Sequence, residues 1–252
     1  MIASLKNVLK RTPVLDLWIW YRLRFAPAHS QSNESEILQR LIARCPVPSL
    51  FVEFGFGVWE FNCARLTDSF DGLLVDGDGD NVAYAKRVLP PRIHCEHCWV
   101  TLETLDVVER FTQGRQMGIL SVDVDGNDYW FLRRLIGLAP AIVVCEFNSV
   151  FGLRPISVPY DERFERFQKH PSGLYFGASL SALDHVCRQH GYTLMAVSSN
   201  GVNAFFVRSD LLLPGDAAFD MSYLQEDAGN GVVDPFAAVA ALDFVDVTRD
   251  AH

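Results

Sequence analysis

Between residues 49 and 147 the chain alternates short apolar runs with amphipathic ones. Residues 49–54, 72–76, 92–95, 118–123 and 141–147 read as strands, and 59–67, 81–88, 102–111 and 129–135 read as helices between them. Apolar strands joined by helical crossovers predict a parallel sheet covered on both faces. The pattern then changes. Residues 178–190 carry helical spacing, with Gly191 just past their end. Residues 192–197 and 202–207 read as two strands around Ser198-Ser199-Asn200-Gly201, where Asn-Gly signals a tight turn. The expected fold class is α/β: a Rossmann-like sheet, mostly parallel, ending in an antiparallel β-hairpin, with helices on both faces.

The flanks divide the chain further. Residues 1–46 read as an N-terminal helical extension, 47–210 as the main domain with an insertion at 149–177, and 211–252 as an acidic C-terminal tail. In the extension, Leu5, Val8 and Leu9 recur at helical spacing until Pro13 interrupts them. The run from Leu15 to Phe25 is aromatic and basic. It suits either a membrane surface or partner complex, or packing on the main domain. A further helix starts near Ser32-Asn33-Glu34-Ser35-Glu36, which offers cap residues and early acids, and stops before Pro46. The tail is weakly periodic, with a short helix expected near 236–242.

Charge narrows the function classes. The net charge is −9. Phosphate backbones are bound by clustered Lys and Arg, so nucleic acid is not an expected partner. Basic residues gather in the first 28 positions (Lys6, Lys10, Arg11, Arg22, Arg24), whereas residues after 210 hold many acids and only Arg249. The six cysteines sit partly in apolar runs, as buried free thiols do, and no secretory leader is legible. A cytoplasmic location is expected, with a peripheral contact at the inner membrane face left open through residues 1–28.

The first chemical motif is Phe51-Val52-Glu53-Phe54-Gly55-Phe56-Gly57. An apolar strand ends in an acid and runs into two glycines that let the backbone turn and approach a ligand. The next strand ends in Asp76, 23 residues after Glu53. That spacing suits an acid that accepts hydrogen bonds from a ribose. Nicotinamide dinucleotides are the rival ligand, but their fingerprint wants a third glycine where Glu60 stands. A cofactor with a sulfonium and no pyrophosphate tolerates Glu60 better.

The densest chemistry is Ser121-Val122-Asp123-Val124-Asp125-Gly126-Asn127-Asp128, at the carboxyl end of the fourth strand; Glu146 and Asn148 end the fifth. In open α/β sheets that edge faces the ligand crevice. Two explanations stand. Asp125, Glu146 and Asn148 offer oxygen ligands for Mg²⁺ or Mn²⁺; alternatively, Asn127 or Asp128 caps a helix and the carboxylates bind acceptor hydroxyls. His94-Cys95-Glu96-His97-Cys98 looks like a zinc cluster, but no second ligand pair stands at finger spacing, and zinc is not expected.

Together, the segment Glu53–Gly57, Asp76, the strand 118–123 with its Asp-rich extension, the hairpin and Ser30-Gln31-Ser32-Asn33-Glu34 resemble FkbM-type class I S-adenosylmethionine-dependent methyltransferases over about residues 30–210. Asp125-Gly126 stands where that family more usually has Glu-Gly. The resemblance implies the methyltransferase version of the sheet, with S-adenosylmethionine as cofactor. It implies that Glu53, Gly55, Gly57, Asp76 and Asp123 bind the cofactor, and that a sugar hydroxyl of a glycan, glycolipid or secondary metabolite is methylated.

The insertion at 149–177 follows the fifth strand and is expected to cover the active site, since loops this long are usually functional. Arg154, Tyr160 and Tyr175 are the candidate acceptor-binding side chains. His170 and Asp125 are the candidate catalytic residues, His170 because its pKa lies near working pH. Expected partners are a small-molecule or glycan acceptor, with oligomerisation open. The competing functions are a nicotinamide-dependent oxidoreductase and a non-catalytic scaffold that docks through the N-terminus.

Overall fold

The computed structural model describes Tyr21 and residues 30–57, 60–221 and 234–249. The helices expected within residues 1–20 and 22–29, and the membrane or partner contact expected there, lie outside the described residues. Seven strands form the central sheet: β1 (Leu50–Phe54), β2 (Asp71–Asp76), β3 (Ile93–His97), β4 (Ile119–Val122), β5 (Ile142–Glu146), and, further on, β7 (Tyr192–Val197) and β8 (Asn203–Arg208). Their order is β3-β2-β1-β4-β5-β8-β7. β1 to β5 pair in parallel, and β8 runs antiparallel to both β5 and β7. This is a mostly parallel Rossmann-like sheet, ended by a hairpin. Gly201 closes that hairpin at φ +69°, donating its N–H to Ser198 O at 2.8 Å.

Alternation along β1 shows how the sheet is covered. Leu50, Val52 and Phe54 enter one core cluster with Leu120, Leu132 and Leu183, whereas Phe51 enters another with Leu74, Ile119 and Phe205. Helices α2 (Gly79–Val88), α3 (Asp106–Thr112), α4 (Asp128–Leu135) and α6 (Leu180–Gln189) supply the cover. Each starts or stops within a few residues of its sequence expectation. Asp78 caps α2, accepting from Asp80 N and Asn81 N, and Ser179 caps α6 through Ala182 N.

Two expectations change. The helix predicted over 59–67 is not there: its described part turns from Glu60 and holds only a 3₁₀ turn, Ala64–Leu66. The cause lies in β1, whose Glu53 takes the N–H groups of Asn62 and Cys63 at 2.7 and 2.9 Å. Helix α1 (Glu34–Ile42) forms, but Asn33 does not cap it by its side chain. Asn33 Oδ1 instead accepts from Ser199 N at 2.8 Å, and Ser32 Oγ lies 2.6 Å from Ser199 Oγ. These bonds fasten the segment before α1 to the hairpin turn.

The insertion folds on the C-terminal segment. β6 (Ile156–Ser157) pairs antiparallel with β9 (Val245–Asp246). Phe151, Val158, Phe164, Tyr175 and Phe176 form a third core with Val239, Phe236, Leu242 and Phe244. A short helix, α5 (Arg166–Lys169), stands at its outer edge. The short helix expected near 236–242 is a 3₁₀ turn, Pro235–Ala238, started by Asp234 and Pro235. Among the described residues no helix is long and apolar enough to cross a membrane.

Candidate functional site

The strand order reverses between β1 and β4, which opens a crevice at their carboxyl ends. A cavity of about 620 Å³ occupies it. Glu53 from β1, Gly55 and Gly57 from the loop after it, Asp76 from β2, and Asp123 and Asp125 from the loop after β4 all line it. Phe164, Arg166 and Phe167 of the insertion close one side, and Ser30, Gln31 and Asn203 another. That size suits a cofactor together with a small acceptor.

Local bonds hold each wall. Glu53 is buried and spends both carboxylate oxygens on backbone N–H groups of its own loop. Asp76 Oδ1 accepts from Asp78 N at 2.6 Å. Asp128, the first residue of α4, folds the acidic loop by accepting from Val124 N and Gly126 N at 2.8 and 2.9 Å. This loop lets Asp125 take a left-handed φ of +56°. Its carboxylate is exposed and meets Arg166 at 2.9 Å. Asn127 ties the insertion in place, donating from Nδ2 to Asp161 O at 2.8 Å and accepting from Asp161 N at 3.3 Å.

The electrostatics are one-sided. The lining holds the carboxylates of Glu53, Glu60, Asp76, Asp78, Asp123, Asp125 and Glu165, and among the described residues Arg166 is its only Lys or Arg. Burial pushes Glu53 and Asp128 up to about 7, against the hydrogen bonds that favour their charged forms. Burial likewise raises Asp76, Asp123 and Glu146; the charges of Asp128, Asp125 and Glu53 raise Asp123 further against a hydrogen bond with Glu146 that lowers it, and the charges of Asp123, Asp128 and Asp125 raise Glu146. An acid whose pKa is raised on folding binds its proton more tightly in the native state, so it stabilises the fold at low pH and loses that contribution as pH rises. For Glu53 and Asp128 the window runs from their ordinary carboxylate range to about 7. The ligand-free protein should therefore melt several degrees lower at pH 8 than at pH 5. A Tm that is flat or rises across this interval in calorimetry would contradict these buried acids.

The side chains predicted for the site divide in two. Glu53, Gly55, Gly57, Asp76, Asp123 and Asp125 meet at the cavity. Glu146, Asn148, Arg154, Tyr160, His170 and Tyr175 are absent from its lining. Asn148 is a fastener: its Oδ1 accepts from Val150 N, and its Nδ2 donates to Leu174 O and Phe176 O. Arg154 pairs with Asp234 at 2.8 Å and lies 4.1 Å from the centre of the Phe236 ring. Tyr160 accepts from Leu102 N at 3.0 Å, and Tyr175 donates to Asp243 O. His170 Nδ1 lies 2.7 Å from Ser172 Oγ, in the insertion's own turn.

The oxygen-ligand set for Mg²⁺ or Mn²⁺ is not assembled. Asn148 Oδ1 is bonded to Val150 N, Asp125 pairs with Arg166, and Glu146 and Asn148 are both absent from the cavity lining that holds Asp125. Among the described residues no group of three or more His, Cys, Asp or Glu is placed to hold a metal ion. In the His94–Cys98 segment, the His94 ring packs on Phe111 and His97 Nε2 lies 3.1 Å from Gly77 O.

Two contributors were not anticipated. Trp99 lines the cavity, stacks over Gly77, and donates from Nε1 to Glu162 O at 2.6 Å. It thereby clamps the insertion to the end of the sheet. Arg166 donates to Gly173 O at 2.6 Å and sits 3.5 Å from the centre of the Phe176 ring. The insertion carries four cations, Arg154, Arg163, Arg166 and Lys169, and nothing local singles out Arg166 as the one that reaches these acids.

No family model and no curated protein matches the chain. Several solved structures are similar to it. A candidate O-methyltransferase from Klebsiella pneumoniae is 15% identical, with 81% of this chain and 92% of that one covered and a TM-score of 0.46. A candidate caffeoyl-CoA O-methyltransferase from Staphylococcus aureus is 13% identical, with 82% and 97% covered and a TM-score of 0.48. The 1,6-didemethyltoxoflavin-N1-methyltransferase of Burkholderia thailandensis, with 1,6-didemethyltoxoflavin and S-adenosylhomocysteine bound, is 14% identical, with 82% and 90% covered and a TM-score of 0.46.

Proposed function

We propose that the protein is an S-adenosylmethionine-dependent O-methyltransferase. The observation that carries this reading is the acid-lined cavity at the sheet's reversal point. A ligand with a sulfonium, an ammonium and a ribose is net cationic and rich in donors, and it complements this wall. A pyrophosphate would meet carboxylates there. It would also lack a helix N-terminus to rest on, because the described residues after Gly57 form turns rather than a helix. That geometry favours S-adenosylmethionine over the nicotinamide reading.

Asp76 accepts from the ribose hydroxyls, while Gly55 and Gly57 let the backbone approach the amino-acid part. Glu53 serves this end of the site through the loop it holds, and Asp123, whose backbone lies against Gly55, lines the same cavity with a carboxylate suited to the cationic part. When bound, the cofactor supplies an electrophilic methyl carbon: the acceptor oxygen gains the methyl, the sulfur keeps the bonding electron pair, and the hydroxyl proton leaves to a base. Asp125 is the carboxylate on the cavity wall placed to take that proton, with Arg166 holding it. The protein's main contribution is alignment in a walled cavity. A sugar hydroxyl, the acceptor that the FkbM-type resemblance implies, fits a wall of hydrogen-bond acceptors. We derive no metal-assisted step, since the proposed ligands do not converge.

Calorimetric titration with S-adenosylhomocysteine and with NAD tests the cofactor. Binding of the first and not the second is expected, and the reverse would overturn the reading. Methyl transfer from labelled cofactor should then persist in EDTA. Loss in EDTA with recovery on adding Mg²⁺ or Mn²⁺ would show that the acidic loop rearranges around an ion.

A further inference from the structure

Ser30, Gln31 and Asn203 line the cavity, and the cofactor contacts above give them no role. Asn203 is 2% exposed and lines it, and its Oδ1 has no hydrogen-bond partner among the described residues. Its backbone is pinned on both sides by Ser198: Asn203 N donates to Ser198 Oγ at 2.9 Å, and Asn203 O accepts from Ser198 N at 2.8 Å. The β5–β8 register places Asn203 directly opposite Glu146, so both side chains share one face of the sheet. Glu146 also has an unpartnered oxygen, Oε2. Asn203 Oδ1 is therefore a buried acceptor without a donor on the cavity lining, and Glu146, its partner in the ladder but outside the lining, carries a second unpartnered oxygen. Buried polar groups are nearly always paired, and leaving one unpaired destabilises the fold. A ligand that brings donors to this corner removes that cost.

Building on the methyltransferase reading, we infer that Asn203 selects the acceptor by binding a hydroxyl donor of an uncharged polyol, and that the site rejects anionic acceptors. Arg166, the guanidinium among the described lining residues, is already engaged by Asp125, Gly173 O and the Phe176 ring. A phosphate or carboxylate entering there meets Asp123, Asp125 and Glu165 without a free cation among the described lining residues. A neutral polyol brings hydroxyl protons to the lining carboxylates and to Asn203 Oδ1. Such a site has high selectivity, because an analogue without the matching hydroxyl leaves the buried acceptor unpaired.

The test uses the full-length protein saturated with S-adenosylhomocysteine, with methyl β-D-glucopyranoside as neutral probe and glucose 6-phosphate as anionic probe. Saturation-transfer NMR should show the glucoside bound and the phosphate bound at least roughly tenfold more weakly. Asn203→Leu should lose the glucoside signal by about tenfold or more while holding S-adenosylhomocysteine as before. Its Tm should be unchanged or higher, because an unpaired polar group has been replaced by an apolar one. Asn203→Ser, which keeps an oxygen at the site, should retain part of the signal. Equal binding of the two probes, no glucoside binding, a full signal in Asn203→Leu, or a lowered Tm in that variant would each overturn the inference. Failure of the wild-type protein to bind S-adenosylhomocysteine would instead overturn the methyltransferase reading.

Discussion

Asp76→Ala is expected to weaken S-adenosylmethionine binding by roughly 10- to 150-fold. Hydrogen bonds to a charged acceptor contribute about 1.5–3 kcal/mol, and each 1.4 kcal/mol is about tenfold in affinity. Asp76 ends β2 on the cavity wall, and burial raises its pKa, so a ligand that offers hydroxyl donors stabilises its charged form. The substitution has a local cost as well. Asp76 Oδ1 receives the N–H of Asp78, the residue that caps α2. Asp76→Asn is the control for that role, because its amide oxygen can still receive the Asp78 N–H without the charge. The expected order of affinity is wild type, then Asn, then Ala, measured by calorimetry on variants with wild-type circular dichroism. An Ala variant with undiminished affinity would remove Asp76 from the cofactor site.

The parts of this protein that are legible in its sequence are those fixed by near neighbours. β7 and β8 are given by two apolar runs and the Asn200-Gly201 turn between them, and the structure closes that turn with Gly201 at a left-handed φ. The acids at the ends of β1, β2 and β4 are visible because strand ends and glycines are local signals, and these ends meet at one crevice by the handedness of the crossovers. Distant contacts are less legible. The helix expected after Gly57 fails because one buried carboxylate, Glu53, captures two backbone N–H groups that helical geometry would use otherwise. Arg154, Tyr160 and Tyr175 look like acceptor ligands in a long loop, yet each finds a protein partner more than fifty residues away. The role of Trp99 depends on Glu162, and that of Arg166 on Asp125. No periodicity encodes such pairs. They follow only once the insertion has folded onto residues 234–249 and been brought back over the sheet.

Gly55→Ala should do more damage than a methyl added at any other described glycine, and for a reason that can be separated from backbone strain. Gly55 has a φ of +72°, which costs an L-residue about 1–2 kcal/mol. Its added Cβ would stand 1.5 Å from the carbonyl oxygen of Asp123 and 2.6 Å from that carbonyl carbon. Both are backbone atoms, so no side chain can rotate away. β1 and β4 are adjacent in the sheet, and Asp123 N donates to Phe54 O at 3.1 Å, so relief requires prying the two strand ends apart. Overpacking of this kind adds about 1–3 kcal/mol. The combined cost of roughly 2–5 kcal/mol should lower Tm by about 5–20 °C. It also displaces Asp123 and the first glycine of the cofactor loop together, so S-adenosylmethionine binding should fall by roughly 100-fold or more, beyond the effect of Asp76→Ala. Gly191→Ala is the matched control. Its φ is +79°, but nothing lies within 4 Å of the added Cβ. It should pay the backbone strain alone and bind cofactor as the wild type does. If both variants lose the same stability and Gly55→Ala keeps its affinity, the close approach of β1 to Asp123 is not part of the cofactor site.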